Sequence, residues 1–283
     1  MSFTPPLVLL FVPGHRERMV EKARALDVDA VVFDLEDSVP PAQKADARQH
    51  VRRALDTWDA SYPRPFVRVN PPRAGLVSDD APVIAGFSDV GVVIPKVDRS
   101  LELEIAGEPL ALFERHVIVT VETPRVFFHL EELADHMLVD GLCLGGEDLA
   151  FGMGMQRTAT ATEFDVPRFL LVAAARAAGI AAYDSICPDF REPDIVRADA
   201  GRGAAAGMDG KFAIHPAQVP VIREVFRPPD DELERAQRIV SAYDEAVGRG
   251  AGAVAVDGQM IDPPVAERLR AVLRRWNRDG EDG

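Results

Sequence analysis

The stretch from Val117 to Asp148, VIVTVETPRVFFHLEELADHMLVDGLCLGGED, decides the fold. Val117–Val121 is a short β-branched run of the kind that forms a fully buried strand. Pro124 then stands in a tolerated first-turn position, and apolar residues recur at helical spacing as far as His136. Gly141–Leu144 is a second buried-strand run. Strand, helix and strand in one stretch make a parallel β/α unit. Acids follow each strand, Glu122 after the first and Glu147-Asp148 after the second.

The same alternation extends in both directions. Apolar runs at Leu7–Val12, Ala30–Leu35, Pro65–Val69, Gly91–Val97, Ala181–Ile186 and Gly210–Ile214 bring the strands to eight. Helical segments such as Arg16–Leu26, Pro41–Trp58 and Asp165–Ala178 separate them. Eight units in order predict the α/β class and a closed (β/α)8 TIM barrel rather than an open sheet. The 283 residues suffice for one such barrel, with residues 1–227 as the catalytic domain and 228–283 as a C-terminal extension. In that extension Asp230–Val247 and Pro263–Trp276 read as helices, Gly248–Gly252 as a connector and Val256-Asp257-Gly258 as a turn. Pro228-Pro229 reads as a hinge, so the extension is expected to act as a lid on its own barrel or on a neighbouring subunit. Asp279–Gly283 reads as a frayed end.

Composition narrows the function. The 32 Lys+Arg against 46 Asp+Glu leave a net charge of −14, which offers no basic field for nucleic acid or an anionic membrane. Two cysteines, Cys143 and Cys187, are too few for a disulfide framework or a cysteine zinc site and read as apolar fillers. No basic residue precedes the apolar N-terminal stretch, and no uninterrupted run reaches membrane-spanning length. A soluble cytoplasmic protein is expected.

Barrel enzymes build their sites at the C-terminal strand ends, and here those ends are acidic. They hold Asp34-Leu35-Glu36-Asp37, Arg68-Val69-Asn70, Pro95-Lys96, Glu122, Glu147-Asp148, Asp184 and His215. Gathered carboxylates stay ionised together when a divalent metal neutralises them, and an all-oxygen set favours Mg2+ or Mn2+ over Zn2+. The bland alternative is a set of helix caps and solvated loop acids. Glu147 and Asp148, read as neighbours on an extended chain, point to opposite sides, so only one of them is expected to bind metal directly. Gly145-Gly146 permits close approach of a ligand to the backbone. Arg68 is either partner to a buried acid or a guanidinium set to oppose an oxyanion. Of the four lysines, Lys22, Lys44, Lys96 and Lys211, only Lys96 is placed to form a Schiff base; carboxylates around it would keep it protonated instead. Lys211 lies at the start of the eighth strand, the wrong end. His215 is a general base or a loop former, and His15 reads as structural.

Eight short motifs stand in order along almost the whole chain. They are residues 10–14 (LFVPG), 33–39 (FDLEDSV), 67–70 (VRVN), 94–97 (IPKV), 122–125 (ETPR), 146–149 (GEDL), 211–216 (KFAIHP) and 257–262 (DGQMID). Together they resemble the HpcH/HpaI aldolase and citrate lyase superfamily, in its citrate lyase beta-subunit-like branch. The resemblance implies a (β/α)8 barrel assembled as trimers or hexamers, using Mg2+ to cleave or form a carbon–carbon bond in a 3-hydroxyacyl-CoA thioester such as malyl-CoA or citramalyl-CoA, with a 2-oxo acid as the other product. It implies that Glu122 and Asp148 hold the metal, that Glu36, Asp37 and Glu147 tune its waters, and that Arg68 stabilises the enolate. Asp262 becomes the acid/base reaching a neighbouring subunit. Arg16 and Lys44 fall near the CoA phosphates, and Pro95, Lys96 and His215 near the substrate. A citrate lyase beta subunit acting on an acyl carrier protein thioester, a malyl-CoA thioesterase and a non-catalytic assembly subunit are the alternatives. Two stretches depart from the family's usual pattern, Val126-Phe127-Phe128 and Phe151-Gly152-Met153-Gly154, and their bulk is expected to narrow the site.

Overall fold

A computed structural model describes residues 5–158 and 160–276. The expected frayed end, Asp279–Gly283, lies outside the described residues. The strands are β1 (Val8–Pro13), β2 (Ala30–Asp34), β3 (Arg64–Arg68), β4 (Gly91–Ile94), β5 (Val117–Val121), β6 (Gly141–Leu144), β7 (Ala181–Asp184) and β8 (Gly210–Ala213). They pair in parallel in chain order, and β8 returns to β1 to close a barrel. Around them run α1 (Glu17–Lys22), α2 (Lys44–Leu55), α3 (Val77–Ile84), α4 (Ser100–Gly107), α5 (Leu130–Ala134), α6 (Gly146–Met153), α7 (Asp165–Ala178), α8 (Pro193–Ala206) and α9 (Val219–Phe226). No described helix is long and apolar enough to cross a membrane.

The strands are nearly all buried, yet their side chains sort by a period of two. Leu9, Val32, Phe66, Ile118, Cys143, Tyr183 and Phe212 fill the barrel interior. Val8, Leu10, Val31, Phe33, Val67, Val119 and Leu142 face the helices instead. Two residues beyond the interior layer, the inward parity continues into the mouth with Asp34, Arg68, Thr120 and Ser185, and after a further step with Glu122.

The same parity corrects two expectations. Asp184 has the outward phase, is wholly buried and is no candidate for a cation: Arg168 grips both its oxygens at 2.8 and 3.1 Å, and Lys211 Nζ lies 2.8 Å away. Lys211 lies at the start of β8, as expected; it stands beside Asp184 in the ladder and also meets Asp199 at 2.8 Å. Asn70 is likewise structural, its amide nitrogens both donating to Asp80 Oδ2.

Two predicted helices differ in detail. Pro124–His136 divides into a 3-10 segment, Pro124–Phe128, and α5, broken at His129 with φ −137°. Pro41–Trp58 starts as a 3-10 turn before α2.

The chain separates into two compact units, Met1–Phe226 and Arg227–Gly283. The second holds α10 (Asp230–Gly248), the hairpin strands β9 (Val254–Val256) and β10 (Gln259–Ile261), and α11 (Pro263–Trp276). The turn expected at Val256-Asp257-Gly258 is the tip of that hairpin. Asp257 and Gly258 have φ of 51° and 76°, the left-handed pair that joins two twisted strands in two residues. Ile239 and Tyr243 of α10 pack with Ile261 and Ala266 to form this unit's own small core.

The sealed network of Arg168, Asp184, Asp199 and Lys211 gives a stability prediction. Lys211→Met leaves two buried carboxylates with one cation and is expected to cost roughly 3 kcal/mol, read as a lower urea midpoint at unchanged m-value.

Candidate active site

A cavity of about 390 Å³ opens at the C-terminal ends of the strands. Its apolar wall is Phe11, Ile186, Phe212 and Ile214, and its polar wall includes Arg68, Glu122, Asp37, Glu147, Asp148 and Ser185. Arg68 and Asp34 are direct partners in the β2–β3 register and both point inward. Arg68 Nε and Nη2 donate to the two oxygens of Asp34 at 2.7 and 2.8 Å, a bidentate fork. The guanidinium stacks over Phe11, 4.6 Å from the ring centroid. Both roles considered for Arg68 therefore coexist, since it is partner to a buried acid and still lines the cavity. Burial opposes the charge of both groups, but their attraction wins: Asp34 is held down to about 2 and Arg68 is raised above the ordinary arginine value.

Asp34 also folds the following loop. Its oxygens accept the Glu36 and Ser38 amides at 2.9 and 3.1 Å, which brings Glu36 and Asp37 over the mouth. Glu36 is buried; its Oε2 lies 3.1 Å from Arg68 Nη1, off the hydrogen-bond direction, and carries no hydrogen bond. Glu122 is buried as well, and Oε1 accepts the Lys96 amide at 2.6 Å. Burial, with the Glu36 and Asp148 carboxylates nearby, pushes Glu122 up to about 8. Burial also raises Glu36, assisted by Asp37.

Gly145 and Gly146 both line the cavity, and they also make room for the protein's own side chains. A Cβ at Gly145 would lie 2.4 Å from Glu122 Cβ, and one at Gly146 would lie 2.6 Å from Ser185 Oγ, so the close approach is by the protein's own side chains. Ser185 Oγ accepts the Gly146 amide at 2.9 Å and so docks the start of α6 on the end of β7. Glu147 and Asp148 consequently sit in the first turn of a helix, where acids are favoured, and not on an extended chain. Both line the cavity, so the extended-chain alternation does not separate them. Glu147 is exposed and pairs with Arg157 at 3.1 Å. Asp148 faces the Lys96 ammonium at 3.5 Å.

Lys96 belongs to the acid cluster. Its ammonium contacts Glu36 at 2.7 Å and Asp37 at 3.1 Å, and although burial opposes the charge, these carboxylates hold its proton above the usual lysine range. This geometry argues against a Schiff-base nucleophile. A second pocket of about 330 Å³, between Lys96, Arg73 and Pro124, shares Glu122 and Asp148 with the main cavity.

Other expected residues lie apart. Lys44 Nζ is spent on the Leu35 and Glu36 carbonyls at 2.7 and 3.0 Å. Arg16 is an exposed residue preceding α1, and Pro95 and His215 are absent from the cavity wall. His215 is the loop former of its two readings: Nδ1 accepts the Ala217 amide at 3.1 Å and the ring stacks on Phe190. Asp262 caps α11 in the C-terminal unit, Oδ1 accepting the Val265 amide at 3.2 Å. Val126 is buried in the outer core, Phe128 and Phe151 are exposed, and none of them lines the cavity, so they do not narrow it. Ser185 is a cavity residue that the strand-end residues do not include, and Asp34, named only as part of the acidic end of the second strand, is the partner that holds Arg68.

Among the described residues no three His, Cys, Asp or Glu side chains converge as a metal cluster. Two carboxylates, Glu122 and Asp148, border one cavity, and an octahedral hard cation that keeps several waters needs no more protein ligands. The elevated Glu122, beside the Glu36 and Asp148 carboxylates, marks an excess of negative charge that such a cation would relieve.

The family profile described as HpcH/HpaI aldolase/citrate lyase matches residues 7–216. The chain belongs to this family. It is 33% identical to a (3S)-malyl-CoA thioesterase of Cereibacter sphaeroides, over 90% of this chain and 88% of that one. It is 34% identical to a citrate lyase subunit beta-like protein of Deinococcus radiodurans, over 95% of this chain and 98% of that one. Among solved structures, CitE of Mycobacterium tuberculosis in complex with magnesium, acetoacetate and coenzyme A superimposes with a TM-score of 0.81 at 31% identity, covering 96% of this chain and 98% of that one.

The Asp34–Arg68 pair sets a pH dependence. The Asp34 carboxyl lies at about 2 against an ordinary 3.8, so its stabilisation is complete above pH 4 and is lost as pH falls through 2. Roughly 2 kcal/mol is involved. Unfolding free energy measured from pH 4 to pH 2 should fall less steeply for Asp34→Asn than for the wild type.

Proposed function

We propose that this chain is a magnesium-dependent carbon–carbon lyase acting on a 3-hydroxyacyl-CoA thioester such as malyl-CoA or citramalyl-CoA, yielding acetyl-CoA and a 2-oxo acid. The observation that carries this reading is the convergence of a fixed guanidinium, Arg68, with Glu122 and Asp148 on one cavity. CoA and magnesium accompany the M. tuberculosis CitE structure, which supports extending both to this site.

In the cleavage direction the hydroxyl proton passes to solvent water, the bond between the α- and β-carbons breaks, the hydroxyl carbon becomes the oxo-acid carbonyl, and the bond's electrons form the enolate of acetyl-CoA. Glu122 and Asp148 are the residues to hold Mg2+, with Glu36, Asp37 and Glu147 around them. When bound, the cation supplies Lewis-acid polarisation of the oxo-acid oxygens. Arg68 cannot swing away, because Asp34 holds two of its nitrogens and Phe11 lies against its face; it is preorganised to oppose the developing negative charge. The apolar wall of Phe11, Ile186 and Phe212 restricts water around the enolate. Asp262, reaching into the mouth of a neighbouring subunit, would protonate the enolate carbon, and in condensation remove that proton. Arg16, exposed ahead of α1, and Lys44, which would exchange the Leu35 and Glu36 carbonyls for the ligand, are the residues for the CoA phosphates. The exposed Phe128, Phe151 and Phe169 are consistent with homo-oligomerisation.

Thioester hydrolysis is the second reading, favoured by the Cereibacter relatives named for that reaction. Incubation with malyl-CoA and with citramalyl-CoA, with Mg2+ or with EDTA, separates the two when free thiol, glyoxylate and pyruvate are followed individually. The expected result is 2-oxo acid only with Mg2+ and without matching free thiol. Thiol without oxo acid establishes hydrolysis, and neither product moves the carrier-protein subunit or assembly reading forward. Arg68→Lys, which cannot reproduce the fork to Asp34, should lower kcat by about 100-fold.

A further inference from the structure

Lys96 touches every carboxylate of the mouth other than Asp34 and Glu147, and it does so with both its backbone and its side chain. It stands just past β4 with φ +55°, a left-handed conformation that disfavours residues with a Cβ. That conformation aims the amide at Glu122, where it is accepted by Oε1 at 2.6 Å. The side chain then runs in the other direction, with Nζ 2.7 Å from Glu36, 3.1 Å from Asp37 and 3.5 Å from Asp148. Strain of this kind persists where the surroundings fix it, and it concentrates at functional sites. Nothing in the mechanism above uses the ammonium.

We propose that Lys96 is the site's resident counter-cation: its ammonium holds Glu36, Asp37 and Asp148 together before a divalent cation binds, and competes with that cation for Asp148. The strained backbone has a separate part, since the Lys96 amide occupies Glu122 Oε1 and leaves Oε2 to face an incoming ion. Lys96 is thus a positioning residue that sets the metal affinity. This rests on the reading of Glu122 and Asp148 as metal ligands, and it concerns binding rather than turnover.

The test is calorimetric titration of MgCl2 into wild type, Lys96→Met, Lys96→Gly and Lys96→Arg, with melting temperatures recorded in EDTA and in Mg2+. Removing a positive charge close to a ligand should tighten Mg2+ binding on the order of tenfold in Lys96→Met. The same variant should melt lower than wild type in EDTA, because its carboxylates lose their counter-ion, and should recover more on adding Mg2+. Lys96→Gly keeps the amide, accepts the positive φ without strain and loses the ammonium, so it should bind Mg2+ as tightly as Lys96→Met and melt higher. Lys96→Arg keeps the positive charge beside Asp148 and should stay within a few-fold of wild type. Wild-type binding with equal or weaker binding by both Lys96→Met and Lys96→Gly overturns this proposal alone. A wild type that binds no Mg2+ overturns it together with the metal-site reading.

Discussion

A guanidinium inside a β-barrel mouth requires a fixed opposite charge, and the Asp34–Arg68 pair supplies it. Buried charge without a partner is strongly unfavourable, so neither residue is tolerable at its position without the other. The register of β2 on β3 places them side by side, and the inward parity of both strands aims them at the same space. Asp34 does more than neutralise Arg68. By accepting the Glu36 and Ser38 amides it closes the loop after β2 and carries Glu36 and Asp37 toward the same point. One ion pair therefore fixes the cation and two of the acids that surround it.

The other half of the mouth depends on what two glycines leave out. β6 ends where the backbone must pass Glu122, and any Cβ at Gly145 would collide with that side chain. Gly146 then accepts contact with Ser185 and Phe164, which lets α6 begin at once beside the barrel axis. Asp148 reaches the cavity because the helix starts there, and its charge suits the helix N-terminus. Asp148 and Glu122 thus share the cavity through backbone packing, with Lys96 between the acids as the local positive charge.

Much of this was written in the sequence. The eight apolar runs gave the barrel, and β5 and β6 have the bounds read from their residues, because buried strands flanked by Gly, Pro and acids leave little ambiguity. What the runs did not convey was direction. Asp184 and Ser185 are adjacent at the end of β7, and only their phase relative to Tyr183 separates a sealed ion-pair partner from a cavity wall. The phase was available once strand boundaries were known, so the misreading of Asp184 followed from treating each strand end as a cluster rather than as an alternation. Lys44 and His215 were less accessible to such reasoning. Their nearest partners are backbone groups, the Leu35 and Glu36 carbonyls and the Ala217 amide, and a loop's backbone path leaves no residue signature.

Asp262 shows how a residue in a functional motif can also have a purely local duty. Pro263 and Pro264 carry no amide hydrogen, so the first turn of α11 offers its first capping donor at Val265, and Asp262 Oδ1 accepts it. Ile261 before the cap and Ala266 after it share the small core of this unit, the arrangement of a hydrophobic staple. Cap and staple together fix where the carboxyl points, while among the described residues Oδ2 carries no hydrogen bond. The capping duty accounts for an Asp here as readily as for Ser, Thr or Asn, and a lost cap is worth about 1 kcal/mol. Serine would keep the cap and lose the carboxyl. The cap therefore fixes the direction of the carboxyl while engaging only one of its oxygens.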